Sequence, residues 1–132
     1  SVPDYRACDV LLLDTIGDLE QAYAAANLAF VGATLVNIGG HNPLEPAMYG
    51  VPVVVGPHTS VIKELVTELA ASEAIIRVQA EQEIDTILNQ LCSGSAALRA
   101  LGLRGKQVWQ GHQGASARVV DAIMTSEEYG CR

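Results

Sequence analysis

Positive charge is scarce in this chain: 8 Lys and Arg residues stand against 15 Asp and Glu among 132, a formal net charge of -7. That scarcity excludes a phosphate-tracking surface for nucleic acid, whose affinity comes from clustered cations. Cysteine is also sparse. Cys8, Cys92 and Cys131 are an odd set at wide spacings with no C-x-x-C pair, which indicates neither a zinc framework nor a disulfide scaffold and points to a reducing cytoplasm. Cys8 and Cys92 fall among apolar residues, so inert burial is expected of both. Long apolar runs are missing as well. None approaches the roughly 18 residues of a membrane span, and the opening "SVPDYRACDV" lacks the basic start and long apolar core of a secretory signal, so the chain as given reads as soluble. There is no repeat, low-complexity tract or linker.

What is present is a core. At 49% hydrophobic and 17% charged, the chain can bury one domain spanning 1–132. The acidic residues Glu64, Glu68, Glu73, Glu81, Glu83 and Asp85 read as solvated helix faces. Four short apolar runs stand out: Val10 to Asp14 ("VLLLD"), Leu28 to Gly32 ("LAFVG"), Pro52 to Gly56 ("PVVVG") and Ile75 to Val78 ("IIRV"). They are mostly continuous rather than alternating, as in strands buried on both faces of a parallel sheet.

Helical spacing lies between the runs. Leu19, Ala22, Tyr23 and Ala26, and then Val61, Ile62, Leu65, Val66 and Leu69, recur at i, i+3, i+4, i+7. Three further helical stretches follow, Glu81 to Cys92, Ser95 to about Gln110, and Ala115 to Met124, with Thr125 to Arg132 read as a frayed tail. Strand and helix in alternation predict an α/β fold: a three-layer, Rossmann-like parallel sheet of about four strands flanked by helices.

The chemistry concentrates in "NIGGHNPLEPAMYGVPVVVGPH", Asn37 to His58, at a loop beyond a strand's carboxyl end, where such sheets bind ligands. Asn42 as N-cap, Pro43 at the first helical position and Glu45 three residues past the cap make a capping box for a short helix that Gly50 ends. That reading needs no ligand. It leaves Gly39 and Gly40 unexplained: paired glycines let backbone approach a ligand, free N–H groups at a helix start suit phosphate, and the Glu45 carboxylate can accept from a vicinal diol such as ribose. Pro46 makes this helix start irregular, having no N–H for the Asn42 carbonyl. His41 and His58 have no third ligand at a recognisable spacing, so no metal is expected and both read as site walls or surface residues. His112 carries less signal still.

The stretch "LLLDTIGDLEQAYAAANLAFVGATLVNIGGHNPLEPAMYGVPVVVGPH" resembles the C-terminal part of the 3-deoxy-D-manno-octulosonic acid (Kdo) transferases. "GGHNPLEP" is its most specific element, and the resemblance weakens beyond His58 as far as "GASAR" at 114–118. It implies a partial C-terminal domain of a GT-B glycosyltransferase that binds CMP-Kdo, with Gly39, Gly40, Asn42 and Glu45 facing the CMP phosphate and ribose and Thr15, Gly17 and Thr34 lining the same crevice. His41 and His58 belong to the motif.

The resemblance also implies a parent enzyme acting on lipid A precursors at the cytoplasmic face of the inner membrane, and no cofactor. Three departures stand out: Asp18 for Glu, Ala33-Thr34 for Gly-Ser, and Ser60-Val61-Ile62 where the family has Phe-Asn-Phe. Nothing in the chain resembles the family's N-terminal acceptor domain, which supplies the carboxylate base. The chain is therefore expected to be inactive alone, a piece of a longer enzyme or a free-standing remnant. The alternative is an interaction module that kept the fold and lost the donor. With the two strands that the doubly wound order places between "VLLLD" and "LAFVG" missing, either a homodimer or a sheet rearranged to seat "VLLLD" beside "LAFVG" is expected.

Overall fold

The computed structural model describes residue 6 and residues 8–130, with side chains as far as 125. Its elements run α1 (Leu19–Ala25), β1 (Ala29–Phe30), α2 (Leu44–Ala47), β2 (Val53–Val55), a 3-10 turn (Ser60–Ile62), α3 (Lys63–Ala71), β3 (Ile76–Arg77), α4 (Gln82–Cys92) and α5 (Ala96–Gly130). Among the described residues the sheet has three strands in the order β1-β2-β3, all parallel. Ala29 pairs with Val53 and Phe30 with Val54. Val54 pairs with Ile76 and Val55 with Arg77 on the other side.

β2 is central, and its three valines explain the layers. Successive strand residues face opposite sides. Val53 and Val55 pack with Val31, Ala47, Ile62 and Val66 on one face, while Val54 packs with Val78, Ile87 and Leu98 on the other. All three are buried, so helices cover both faces and the α/β class expected from the continuous runs is the one observed. A third cluster, Leu44, Leu69 and Ala74 with Val108 and Trp109 at its rim, joins α2 and α3 to α5. α5 approaches the turn after α2 closely enough that a Cβ on Gly102 would stand 2.1 Å from the Gly50 carbonyl oxygen.

Several expectations are corrected. Val10–Asp14 is not a strand and does not pair with β1. Val10 is 85% and Leu12 82% exposed. An apolar run reports a need for cover, and among the described residues nothing supplies it. The stretches from Ser95 and from Ala115 are one helix, which passes through Gly111 and Gly114 and continues to Gly130. The expected frayed tail is thus helical as far as 130, and Cys131 and Arg132 lie outside the described residues. Cys8 and Cys92 are exposed rather than buried, because Cys92 ends α4 on its solvent side and Cys8 precedes the uncovered segment. No helix among the described residues is long and apolar enough to cross a membrane.

Candidate functional site

The loop from Val31 to Pro43 is held from beneath by Thr34. This residue is fully buried. Its hydroxyl donates to the Val31 carbonyl at 2.6 Å and accepts from the Gly56 amide at 2.8 Å. Thr34 therefore braces the crevice and has no hydroxyl proton to offer into it. Gly39 and Gly40 follow with φ of +145° and +133°, in the region that glycine tolerates best. Gly40 also rests on the brace: a Cβ there would come within 3.0 Å of the Thr34 methyl and 3.1 Å of Ile62.

α2 starts later than the capping box predicts. Pro43 is its cap residue, and the Asn42 side chain accepts from the Leu44 amide at 2.9 Å. The Glu45 amide reaches the Asn42 carbonyl at 3.4 Å. Asn42 thus closes a local turn of the Asx kind, and the N–H groups expected to stand free at this helix start are partly engaged. Gly50 ends the segment as expected, with φ +72° and its amide donating to Ala47 at 2.9 Å.

Glu45 is exposed. It lines a hollow of about 290 Å³ with Gly17, Leu19, Glu20, Tyr23 and Met48, between α1 and α2. Partial burial, and secondarily the Glu45 carboxylate, raise the Tyr23 pKa above its ordinary 10.0. Tyr49 donates to Glu20 at 2.8 Å, and that hydrogen bond is the leading reason that its pKa is raised as well. The structure thus brings Gly17 together with Glu45. Thr15 is instead exposed, its hydroxyl donating to Asp18. His41 lies exposed beside Gly32.

His58 belongs to a different hollow. Its amide donates to the Thr34 carbonyl at 2.9 Å, and it lines a cavity of about 390 Å³ beyond β2 and β3 with Asn37, Lys63 and Arg77. Sequence reasoning missed Lys63 and Arg77. The available signal was that two of the few cations sit just beyond, or at the end of, parallel strands. A hollow of about 680 Å³ at the opposite end of the strands, lined by Gly50, Pro52, Cys92, Arg99 and Leu103 among others, was likewise unanticipated. Among the described residues no group of three or more His, Cys, Asp or Glu side chains could hold a metal ion.

No family model matches the chain. Curated relatives do. The chain is 37% identical over 116 residues to the 3-deoxy-D-manno-octulosonic acid transferase of Bordetella pertussis, covering 87% of this chain and 27% of that protein. It is 32% identical over 115 residues to the enzyme of the same name from Haemophilus influenzae, covering 86% and 27%. The corresponding protein of Aquifex aeolicus is 44% identical over 85 residues, covering 64% and 24%. The chain thus spans about a quarter of the length of these relatives. Among solved structures, the C-terminal CMP-Kdo binding domain of WaaA from Acinetobacter baumannii superposes with a TM-score of 0.68 at 32% identity, covering 74% of this chain and 51% of that chain. By sequence and by fold together, the chain corresponds to the C-terminal part of the 3-deoxy-D-manno-octulosonic acid transferases.

Proposed function

We propose that this chain is the CMP-Kdo-binding part of a glycosyltransferase that transfers Kdo to a lipid A precursor, and that it does not catalyse transfer alone. The observation that carries the reading is the hollow joining Gly17, Tyr23 and Glu45, the last of which follows the Gly39–Asn42 loop within three residues. An exposed carboxylate there can accept from both hydroxyls of a ribose, and a charge-assisted pair of that kind fixes orientation as well as affinity. Gly40 packs against Thr34 and Ile62, whereas a Cβ at Gly39 would meet only Val61, at 3.9 Å, so the phosphate can approach the backbone at Gly39. Thr34 contributes by holding that backbone in place.

Val61, which replaces the family's Asn, is 74% exposed beside Gly39 and presents methyl groups where an amide would hydrogen-bond. Donor binding is accordingly weaker than with the family residue. Transfer additionally needs an acceptor and a base held against the donor, and such positioning supplies much of the rate of a two-substrate reaction. A longer parent would supply both, working in the cytoplasm at the inner face of the membrane. For the chain by itself, a second copy across the outer edge of β1 is the proposed partner.

The test is titration of the labelled chain with CMP, followed by amide chemical shifts. Saturable shifts at Gly17, Tyr23 and residues 39–45 are expected. Shifts scattered over the surface, or none at high CMP, would return the chain to the class of interaction modules that have lost the donor.

A further inference from the structure

Two cations that form no ion pair among the described residues, Lys63 and Arg77, line one cavity together. The chain brings them from separate elements. Lys63 opens α3, and Arg77 ends β3. His58 enters from the segment after β2, Asn37 from the loop after β1, and Ser60 and Thr67 add hydroxyls. The Thr67 hydroxyl donates to the Lys63 carbonyl at 2.7 Å, and residues four apart share one face of a helix.

The composition makes this convergence informative. In a chain with 15 acidic residues against 8 Lys and Arg, cations have carboxylates to choose from, yet no Asp or Glu lines this cavity. Two cations at one hollow that no carboxylate lines offer an anion charge-assisted contacts from both. The position also suits a ligand, since the cavity lies beyond the carboxyl ends of two parallel strands.

We propose that this cavity is an oxyanion site whose ligand is a phosphate group. A planar carboxylate is satisfied by one guanidinium through two parallel hydrogen bonds. Here the lining residues that can donate, Lys63, Arg77, His58 and Asn37, come from four separate segments, and several donors from different segments suit a phosphate, which carries more acceptor oxygens than a carboxylate. At about 390 Å³ the cavity admits a phosphate carried on a small sugar or glycerol as well as the free ion. It shares no lining residue with the Glu45 hollow, so the proposal stands whether or not CMP binds there.

The experiment titrates the full chain with inorganic phosphate, with glycerol phosphate and with acetate at constant ionic strength, in a buffer free of other oxyanions. Saturable phosphate binding is expected, with amide shifts confined to residues 37, 58–63, 67 and 77. Lys63→Gln and Arg77→Gln should each weaken it by about tenfold, as loss of one charge-assisted contact does. Both side chains are exposed, and thermal unfolding of each variant verifies that the fold is kept. Lys106→Gln, the same loss of charge on an exposed part of α5 outside the cavity, should leave phosphate binding unchanged. Tighter binding of glycerol phosphate than of the free ion identifies the ligand as a phosphorylated molecule, and the reverse identifies the ion. Acetate binding as tightly as phosphate, shifts elsewhere in the chain, or affinities untouched by both variants would overturn the proposal.

Discussion

The Thr34 hydroxyl accepts the buried Gly56 amide proton at 2.8 Å, tying the loop after β1 to the segment after β2. The same oxygen donates onward to Val31 at 2.6 Å, so one side chain satisfies a donor and an acceptor of the backbone. Val has nearly the shape of Thr and neither function. Thr34→Val should therefore destabilise the chain by about 1–3 kcal/mol, the cost of leaving a buried amide unpaired. Thr34→Ser keeps both bonds and should lose less. Urea midpoints measure both, and an unchanged midpoint in the Val variant would show that the brace contributes nothing.

Two glycines of α5 should respond oppositely to alanine. A Cβ at Gly102 would collide with the Gly50 carbonyl oxygen at 2.1 Å, whereas at Gly111 it would meet nothing within 4 Å. Gly102→Ala should cost about 1–3 kcal/mol through overpacking. Gly111→Ala should gain about 0.5–1 kcal/mol, the difference in helix propensity. Thermal unfolding of the pair checks the continuity of α5 as well as its approach to Gly50.

How these features relate to the sequence differs from place to place. Val53–Val55 announced a buried central strand because a run without polar residues needs cover on both faces, and the sheet and helices provide it. Val10–Asp14 carried the same signal and is uncovered, since periodicity reports what a segment requires and not what its neighbours supply. Gly111 and Gly114 suggested a break in α5, but an isolated glycine costs a helix only about 1 kcal/mol and does not end it. The Gly39–Glu45 element was legible because its residues are adjacent in the chain. The pairing of Lys63 with Arg77 was not, because only the crossover from α3 to β3 brings them together.

Glu20 governs the ionisation of Tyr49. The phenol donates to a carboxylate, and deprotonation would both break that bond and set two negative charges together, so the pKa rises above 10.0. A tyrosine whose folded-state pKa exceeds its unfolded value stabilises the fold fully below pH 10, and the contribution is lost as pH rises through the folded-state pKa. Glu20→Gln should lower the titration of the Tyr49 ring toward its ordinary range. Tyr23, raised chiefly by burial with Glu45 as the lesser cause, should move little in that variant. Ring chemical shifts across alkaline pH distinguish the two.

Donor recognition makes a pair of predictions that oppose each other in sign. Glu45→Ala should weaken CMP binding by about 1–3 kcal/mol by removing a charge-assisted diol contact. Val61→Asn should strengthen it by about 0.5–1.5 kcal/mol, the net worth of one added hydrogen bond. Val61 is exposed, so the exchange costs no core packing. Calorimetric titration of both variants settles the roles, and equal affinities in Glu45→Ala and the parent chain, with the fold intact, would remove Glu45 from the site.

The outer edge of β1 should pair with a second copy. Ala29 and Val31 give their amides to Pro52 and Val54 at 2.9 Å, so the alternation of a parallel ladder turns the Phe30 amide away from β2. Phe30 itself is exposed, and so are Val10, Leu11, Leu12, Leu13 and Ile16. An open strand edge favours association, uncovered apolar surface elsewhere in the chain adds to it, and in a symmetric dimer one patch meets its own copy. In the longer relatives further chain is available to cover this edge, whereas in the chain alone a twin is the nearest equivalent. Light scattering over a dilution series should therefore show a dimer that dissociates on dilution, and Phe30→Lys, which sets a charge on the edge, should shift it to monomer. A parent chain that stays monomeric at every concentration would show that this edge is stable in water without a partner.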